Sequence, residues 1–320
     1  MRIRIDPHVH CRDGGQAYKE TIAHVFQIAE QQGVTHIFDM PNTDPPILTE
    51  KDVHERFALV PETKKRNYFL YLGLTPDEEQ LEQAVVTFDR LTRVIGFKLY
   101  AGKSVGDLEV IEEEQQKKIY AILTALEYEG VIAVHCEKKS ELKPDLWDFS
   151  NPISHSWARP KEAEVASIQD QIRFVKDTGF QGNLHIVHVS CPESVELIDS
   201  ARKEINITCG VTPHHVMWDN RRLSESNGLL YKMNPPLRNQ SDVLGLTECL
   251  KAGKIDWIET DHAPHPYGEK LHSSNPPSGY PSLYLYKDFV EKFLPGLGIN
   301  GEEIRKLTHD NICRTFRLNI

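Results

Sequence analysis

The sequence predicts an α/β protein, a (β/α)8 TIM barrel in a single domain over residues 1–320. Three observations carry that expectation. Short apolar runs alternate with longer amphipathic stretches along the whole chain. Several of the runs have no polar break, as in parallel strands buried on both faces. The residues able to do chemistry collect where the runs end. A doubly wound open sheet is the rival arrangement, but no G-x-G-x-x-G turn follows the first run.

Eight runs read as strands: Arg2–His8, Thr35–Met40, Asn67–Leu72, Arg93–Leu99, Val131–His135, Asn183–His188, Asn206–Val211 and Asp256–Asp261. Between them, Gln16–Gln32 reads as a helix, with Gly33 suited to its C-terminal cap. Asp77–Leu91 follows Pro76, a residue that favours helix starts. Glu112–Glu129 and Lys161–Thr178 are the clearest later helices. Two connections are long, Glu137–Arg159 and Ala263–Pro281, and in a barrel such loops cover the C-terminal face where sites are built. The segment Ala101–Val110, with Gly102 and Gly106, reads as a mobile cover over the same face.

Composition narrows the function. Of 320 residues, 39% are hydrophobic and 26% charged, the balance of an ordinary soluble globular protein. The net charge of −10 and the lack of a Lys/Arg-rich run disfavour a nucleic-acid or anionic-membrane partner. No apolar stretch is long enough to span a bilayer, and Met1–Asp6 lacks a secretory h-region, so a cytoplasmic protein is expected. The six cysteines form no C-x-x-C pair and read as reduced thiols. Cys11 and Cys136, each following a candidate metal-site histidine, read as small buried fillers.

The ends of the runs supply the chemistry. Strand one ends in His8-Val9-His10, strand four carries Lys98, strand five ends in His135, strand six in His188 and strand eight in Asp261. A barrel brings these ends to one rim. His8 and His10, two apart in extended chain, face the same side and suit one metal ion. His185, three residues before His188, points to the opposite face and reads as structural.

Taken together these segments resemble the dihydroorotases. Asp6-Pro7-His8-Val9-His10-Cys11-Arg12-Asp13-Gly14-Gly15 looks like the family's opening motif, and Met40-Pro41-Asn42-Thr43-Asp44-Pro45-Pro46 like its second. Gly96-Phe97-Lys98-Leu99-Tyr100 matches the lysine strand. Val134-His135-Cys136-Glu137, His188-Val189-Ser190 and Thr260-Asp261-His262-Ala263-Pro264-His265 match the remaining metal and catalytic segments. Thr212-Pro213-His214-His215 and Asn234-Pro235-Pro236-Leu237-Arg238 are similar to further family segments. The resemblance runs through nearly the whole chain in the family's order. Arg12-Asp13-Gly14-Gly15 departs from the more usual Arg-Glu-Pro-Gly.

The resemblance implies a binuclear metal hydrolase. It implies two Zn2+ ions, with other divalent ions as alternatives, bridged by Lys98 carbamylated with CO2. One ion falls to His8, His10, the carbamate and Asp261, the other to the carbamate, His135 and His188. Asp261 is the implied general base and acid. Arg12, Asn42 and His265 resemble the family's clamp on the substrate carboxylate; Asn234, Pro277 and Gly279 fall where relatives meet the pyrimidine ring. One of His214 and His215 stands as a candidate to support the site, with a plain structural role equally expected.

Many relatives wrap a small β domain around the barrel, and here a barrel lacking that flanking domain is expected. The implied reaction is reversible hydrolysis of dihydroorotate to N-carbamoyl-L-aspartate in pyrimidine synthesis. The implied partners are a second copy of the chain or aspartate carbamoyltransferase. Rival readings are a hydantoinase, dihydropyrimidinase or allantoinase, which share the metal site but usually lack the Arg12/Asn42 combination, and a non-catalytic scaffold, for which degenerate ligands would be the signature.

Overall fold

The computed structural model describes residues 3–103 and 108–320. Eight strands form one sheet in sequence order: β1 Ile5–Val9, β2 His36–Asp39, β3 Tyr68–Gly73, β4 Val94–Ala101, β5 Val131–Cys136, β6 Asn183–Ile186, β7 Ile207–Val211 and β8 Trp257–Ile258. Each strand pairs in parallel with the next. Every strand residue is buried, as the unbroken apolar runs anticipate. The barrel closes at a short seam. Val9 bridges His262, and the His10 amide donates to the His262 carbonyl at 2.8 Å. The Asp6 carboxylate accepts from the Thr260 amide at 3.0 Å and the Thr260 hydroxyl at 2.5 Å.

The helices fall where expected, with shorter ends. The first, α1, spans Ile22–Gln31; Thr21 caps it through the His24 amide, and residues 16–20 turn instead of winding. Gly33 takes a φ of +72° just beyond it, the left-handed step foreseen for that glycine. Next come α2, Glu50–Ala58, with a reciprocal Thr49–Asp52 cap, and α3, Glu78–Arg90, capped by Asp77. After β4 comes α4, Glu113–Ala125, shorter than Glu112–Glu129. The helix Lys161–Thr178 has the bounds foreseen. In the expected cover segment Ala101–Val110, residues 104–107, Gly106 among them, lie outside the described residues.

Two apolar layers hold the barrel. One lies between strands and helices, where Val25, Ala29, Val53, Leu81, Ile119, Ile168 and Ile198 meet the outward faces of the strands. The other fills the floor: Ile5, Phe38, Phe69, Tyr71, Ile95, Val131 and Trp257, closed from below by Ile312 and Phe316. Helical turns from Gly301 to Thr315 bring those last two residues in. Phe316 lies edge-on to Phe38 at 5.1 Å and to Tyr71 at 6.1 Å.

Candidate active site at the barrel mouth

At the opposite end the strands deliver polar groups. His8 sits in β1 and His10 just past it. Asp261 follows β8 by three residues. Asp261 Oδ1 is 3.3 Å from His8 Nε2 and 3.0 Å from His10 Nε2, and one ligand atom from each of the three lies within 4.8 Å of the others. All three residues are buried or nearly so. Burial, and then the neighbouring Lys98 charge, push the His8 imidazole down to about 4, and burial puts His10 below its usual range as well. Both are neutral at pH 7, the form in which a ring nitrogen binds a cation.

A second pair converges beside the first. His135, in β5, brings Nδ1 to 3.2 Å from His188 Nε2, and the His8 and His188 rings are 5.3 Å apart. Lys98 rises from β4 into the same space. Its Nζ is buried and has no hydrogen-bond partner among the described residues, and the same holds for His188 Nδ1 and the Tyr100 hydroxyl. Unpaired buried polar atoms are costly and rare. Here their three residues line one pocket, together with imidazole nitrogens that carry lone pairs. That donor chemistry fits a pair of cations with a bridging group at Lys98.

The far sides of the imidazoles are held by Asn42, expected at the substrate, and by two carboxylates to which the sequence reading gave no role. His10 Nδ1 donates to Asn42 Oδ1 at 2.7 Å. His135 Nε2 donates to Glu137 Oε2 at 2.9 Å, and Glu137 is in turn gripped by Arg159. His8 Nδ1 faces Glu259 Oε1 at 3.6 Å, and Glu259 also accepts from the His188 amide, from His185 Nε2 and from Trp257 Nε1. Against the cost of burial, Arg159 and His135 keep Glu137 well below the usual carboxylate range; His185 and His8 do the same for Glu259. Fixed carboxylate and amide oxygens place the ring protons away from the centre and leave Nε2 of His10 and Nδ1 of His135 as acceptors toward it. The spacing held a signal: Glu137 lies two residues after His135 and Glu259 two before Asp261, as His8 lies two before His10.

His185 is structural, as expected, its ring tilted against Trp257 at 4.2 Å and bonded to Thr208 and Glu259. His215 is structural too, bonded to Thr212 and the Pro235 carbonyl. His214 is buried with neither ring nitrogen partnered among the described residues.

Four of the six expected substrate residues surround the same space. Arg12, Asn42, Asn234 and Gly279 line one pocket with His8, His10, Lys98, His135, His188 and Asp261; Tyr100, Ala263 and Ser278 complete it. His265 stands one step behind, its Nε2 3.3 Å from Arg12 Nη2. Pro277 is not part of this lining. It has no N–H, and its carbonyl accepts from Lys270 Nζ at 3.1 Å, so it backs the wall that Ser278 and Gly279 form. Arg12 is 2% exposed, so it is not a surface cation. Its loop is pinned from beneath: Arg56 donates to the Arg12 carbonyl at 2.5 Å and to Asp39 at 2.6 Å, while Asp39 accepts from the Cys11 amide at 2.9 Å.

Backbone strain marks the same rim. Among the described residues six that are not glycine have positive φ, and four of them are Arg12 at +55°, Asp13 at +57°, His188 at +40° and Asp261 at +50°. Each costs on the order of 1–2 kcal/mol. This also corrects two strand ends: β6 stops at Ile186 and β8 at Ile258, so His188 and Asp261 sit on left-handed turns beyond the sheet and not within it.

Comparison with known proteins is consistent with this construction. No protein-family model matches the chain. It is similar to the dihydroorotase of Halobacterium salinarum, 30% identical over 98% of this chain and 71% of that protein. It is similar also to the dihydroorotase of Brevibacillus brevis, 33% identical over 85% of this chain, which spans 62% of that relative's length. Among solved structures, the L-hydantoinase (dihydropyrimidinase) of Arthrobacter aurescens superposes with a TM-score of 0.84 at 22% identity, over 98% of this chain and 70% of that one, a likeness of fold. No helix among the described residues is long and apolar enough to cross a membrane. From its sequence kinship, the chain, an eight-stranded barrel, belongs to the dihydroorotase family.

Proposed function

We propose that this chain, acting as one barrel domain in the cytoplasm, is a metal-dependent cyclic amide hydrolase that interconverts dihydroorotate and N-carbamoyl-L-aspartate in de novo pyrimidine synthesis. The observation that carries the substrate is Arg12. Its guanidinium is buried at the pocket wall, and among the described residues no carboxylate lies within ion-pair distance of it. A buried cation needs a counter-charge. An acidic ring brings one, and a neutral hydantoin or dihydropyrimidine does not.

The donor set supports two divalent ions, zinc foremost. His8, His10, Asp261 and a carbamylated Lys98 would hold one; the same carbamate, His135 and His188 would hold the other. Burial brings the Lys98 amine down to about 8, so part of it is free base near neutral pH, the form that adds CO2. When bound, the ions lower the pKa of water and polarise the amide carbonyl. Asp261 takes the proton of the attacking water and returns it to the ring nitrogen as the C–N bond breaks. Burial lifts its carboxyl above the usual range, which favours proton uptake. Arg12 grips the ring carboxylate with two N–H groups, assisted by Asn42 and, through Arg12, by His265. Asn234 and Gly279 line the wall against which the ring is held.

Turnover of dihydroorotate by the zinc-loaded protein tests the reading. Arg12→Ala should lower that turnover by about 100-fold, the worth of a charge-assisted bidentate contact, and spare any hydrolysis of neutral dihydrouracil. Equal loss on both substrates would rule out the clamp. Intact-mass measurement decides whether Lys98 carries CO2.

A further inference from the structure

Two lysines lie buried behind the wall made by Asn234, Ser278 and Gly279. Lys270 is 3% exposed and Lys232 is 7% exposed. Lys270 Nζ donates to three carbonyls: Lys232 at 2.7 Å, Pro277 at 3.1 Å and Gly279 at 2.8 Å. Lys232 Nζ donates to the Pro276 carbonyl at 2.8 Å and the Ser278 hydroxyl at 3.0 Å, and the Gly279 amide donates to the Lys232 carbonyl at 2.9 Å. Among the described residues neither ammonium has a carboxylate within ion-pair distance. Glu269, next to Lys270 in sequence, is engaged by Lys19 at 3.0 Å and His265 at 3.2 Å.

A lysine placed only to fill this space would be a poor choice, since an apolar residue of similar volume avoids the cost of burying a charge. The arrangement makes sense for its three donors. An ammonium has three N–H groups, and three carbonyls from two chain segments take all of them. Burial and the charge of Lys232 pull the amine well below the ordinary lysine value. The carbonyls oppose that, because a neutral amine would leave one of them without its bond. From the other side, His155 Nε2 donates to the Met233 carbonyl at 2.9 Å and to Asn234 Oδ1 at 3.0 Å. The stretch 232–234 is thus held between a long-loop histidine and a buried ammonium.

We propose that Lys270 is a positioning residue that staples the segment Lys232–Asn234 to the segment Pro277–Gly279 and so sets the pocket wall against which the substrate ring is held. The proposal rests on the preceding reading only for the identity of that ring.

The test uses the metal-loaded full chain and the variants Lys270→Met and Lys270→Gln. Amide hydrogen exchange, read without substrate, should rise about tenfold at residues 232–234 and at Ser278 and Gly279 in the Met variant, with the barrel strands still protected. The Gln variant keeps two donors and should fall between. KM for dihydroorotate should rise about tenfold, with kcat changed by less than about threefold. Unchanged exchange in both segments would overturn the staple, as would acceleration spread evenly over the strands. If the Met variant does not fold, the Gln variant decides by the same criteria. Absence of dihydroorotate turnover in the unaltered protein would count against the proposed function, while the exchange measurement still decides the staple.

Discussion

At the floor of the barrel, Phe38, Tyr71 and Trp257 pack their rings against Phe316 at 5.1–6.1 Å, with Ile5 and Val131 in the same apolar cluster. A few residues along the same strands, at the mouth, Lys98 Nζ, His188 Nδ1 and the Tyr100 hydroxyl are buried with no partner among the described residues. The floor follows the rule for a stable interior, in which apolar surface is covered and nothing polar is left over. The mouth breaks that rule and adds strained backbone at four residues. One end therefore supplies the stability that the other consumes, and the two ends should respond differently to substitution.

The sharpest way to test that division is to change one residue at each end. Asp261→Asn should lower kcat on dihydroorotate by about 10^3-fold with the circular dichroism spectrum unchanged, because the proton acceptor is lost and the floor is untouched. Phe316→Ala should do the reverse, costing about 3–5 kcal/mol in denaturant unfolding while activity per folded molecule stays near that of the unaltered protein. A large activity loss in the Phe316 variant at temperatures where it remains folded would show that the floor also shapes the mouth. Glu259→Gln probes the layer between them. It should weaken metal affinity by about 10–100-fold, read by competition with a chelator, with a smaller effect on stability. The smallest effect is expected at Asn300, which caps the helical turns carrying Ile312 and Phe316 through the Glu302 and Glu303 amides. Asn300→Ala should cost about 1 kcal/mol and leave metal content unchanged.

The two ends were also unequally legible in the sequence. The floor and the strand order follow from apolar runs with little ambiguity, because a strand buried on both faces has no polar face to interrupt it. The histidines, Lys98 and Asp261 were legible because they stand at the ends of those runs. Their exact placement was not. His188 and Asp261 read as strand termini, and the structure sets them on left-handed turns, which neither side chain announces as a glycine would. The carboxylates behind the imidazoles were missed for a different reason. Glu259 earns its role from His185 and Trp257 around it, and Glu137 from Arg159, 22 residues away. Lys270 was hidden likewise, since a lone lysine in a Pro- and Ser-rich loop reads as exposed until the three carbonyls are seen around it.

The seam between Asp6 and Thr260 joins residues 254 apart, and His10 meets Asp261 across 251. The proposed ligands of one ion are therefore drawn from strands far apart in sequence. During synthesis His10 leaves the ribosome 251 residues ahead of Asp261. A chain cut short anywhere before that aspartate holds its imidazoles without the carboxylate that completes the set. Under the proposed function, cation capture is thus tied to the arrival of Asp261, and a fragment ending before it lacks the proposed general base.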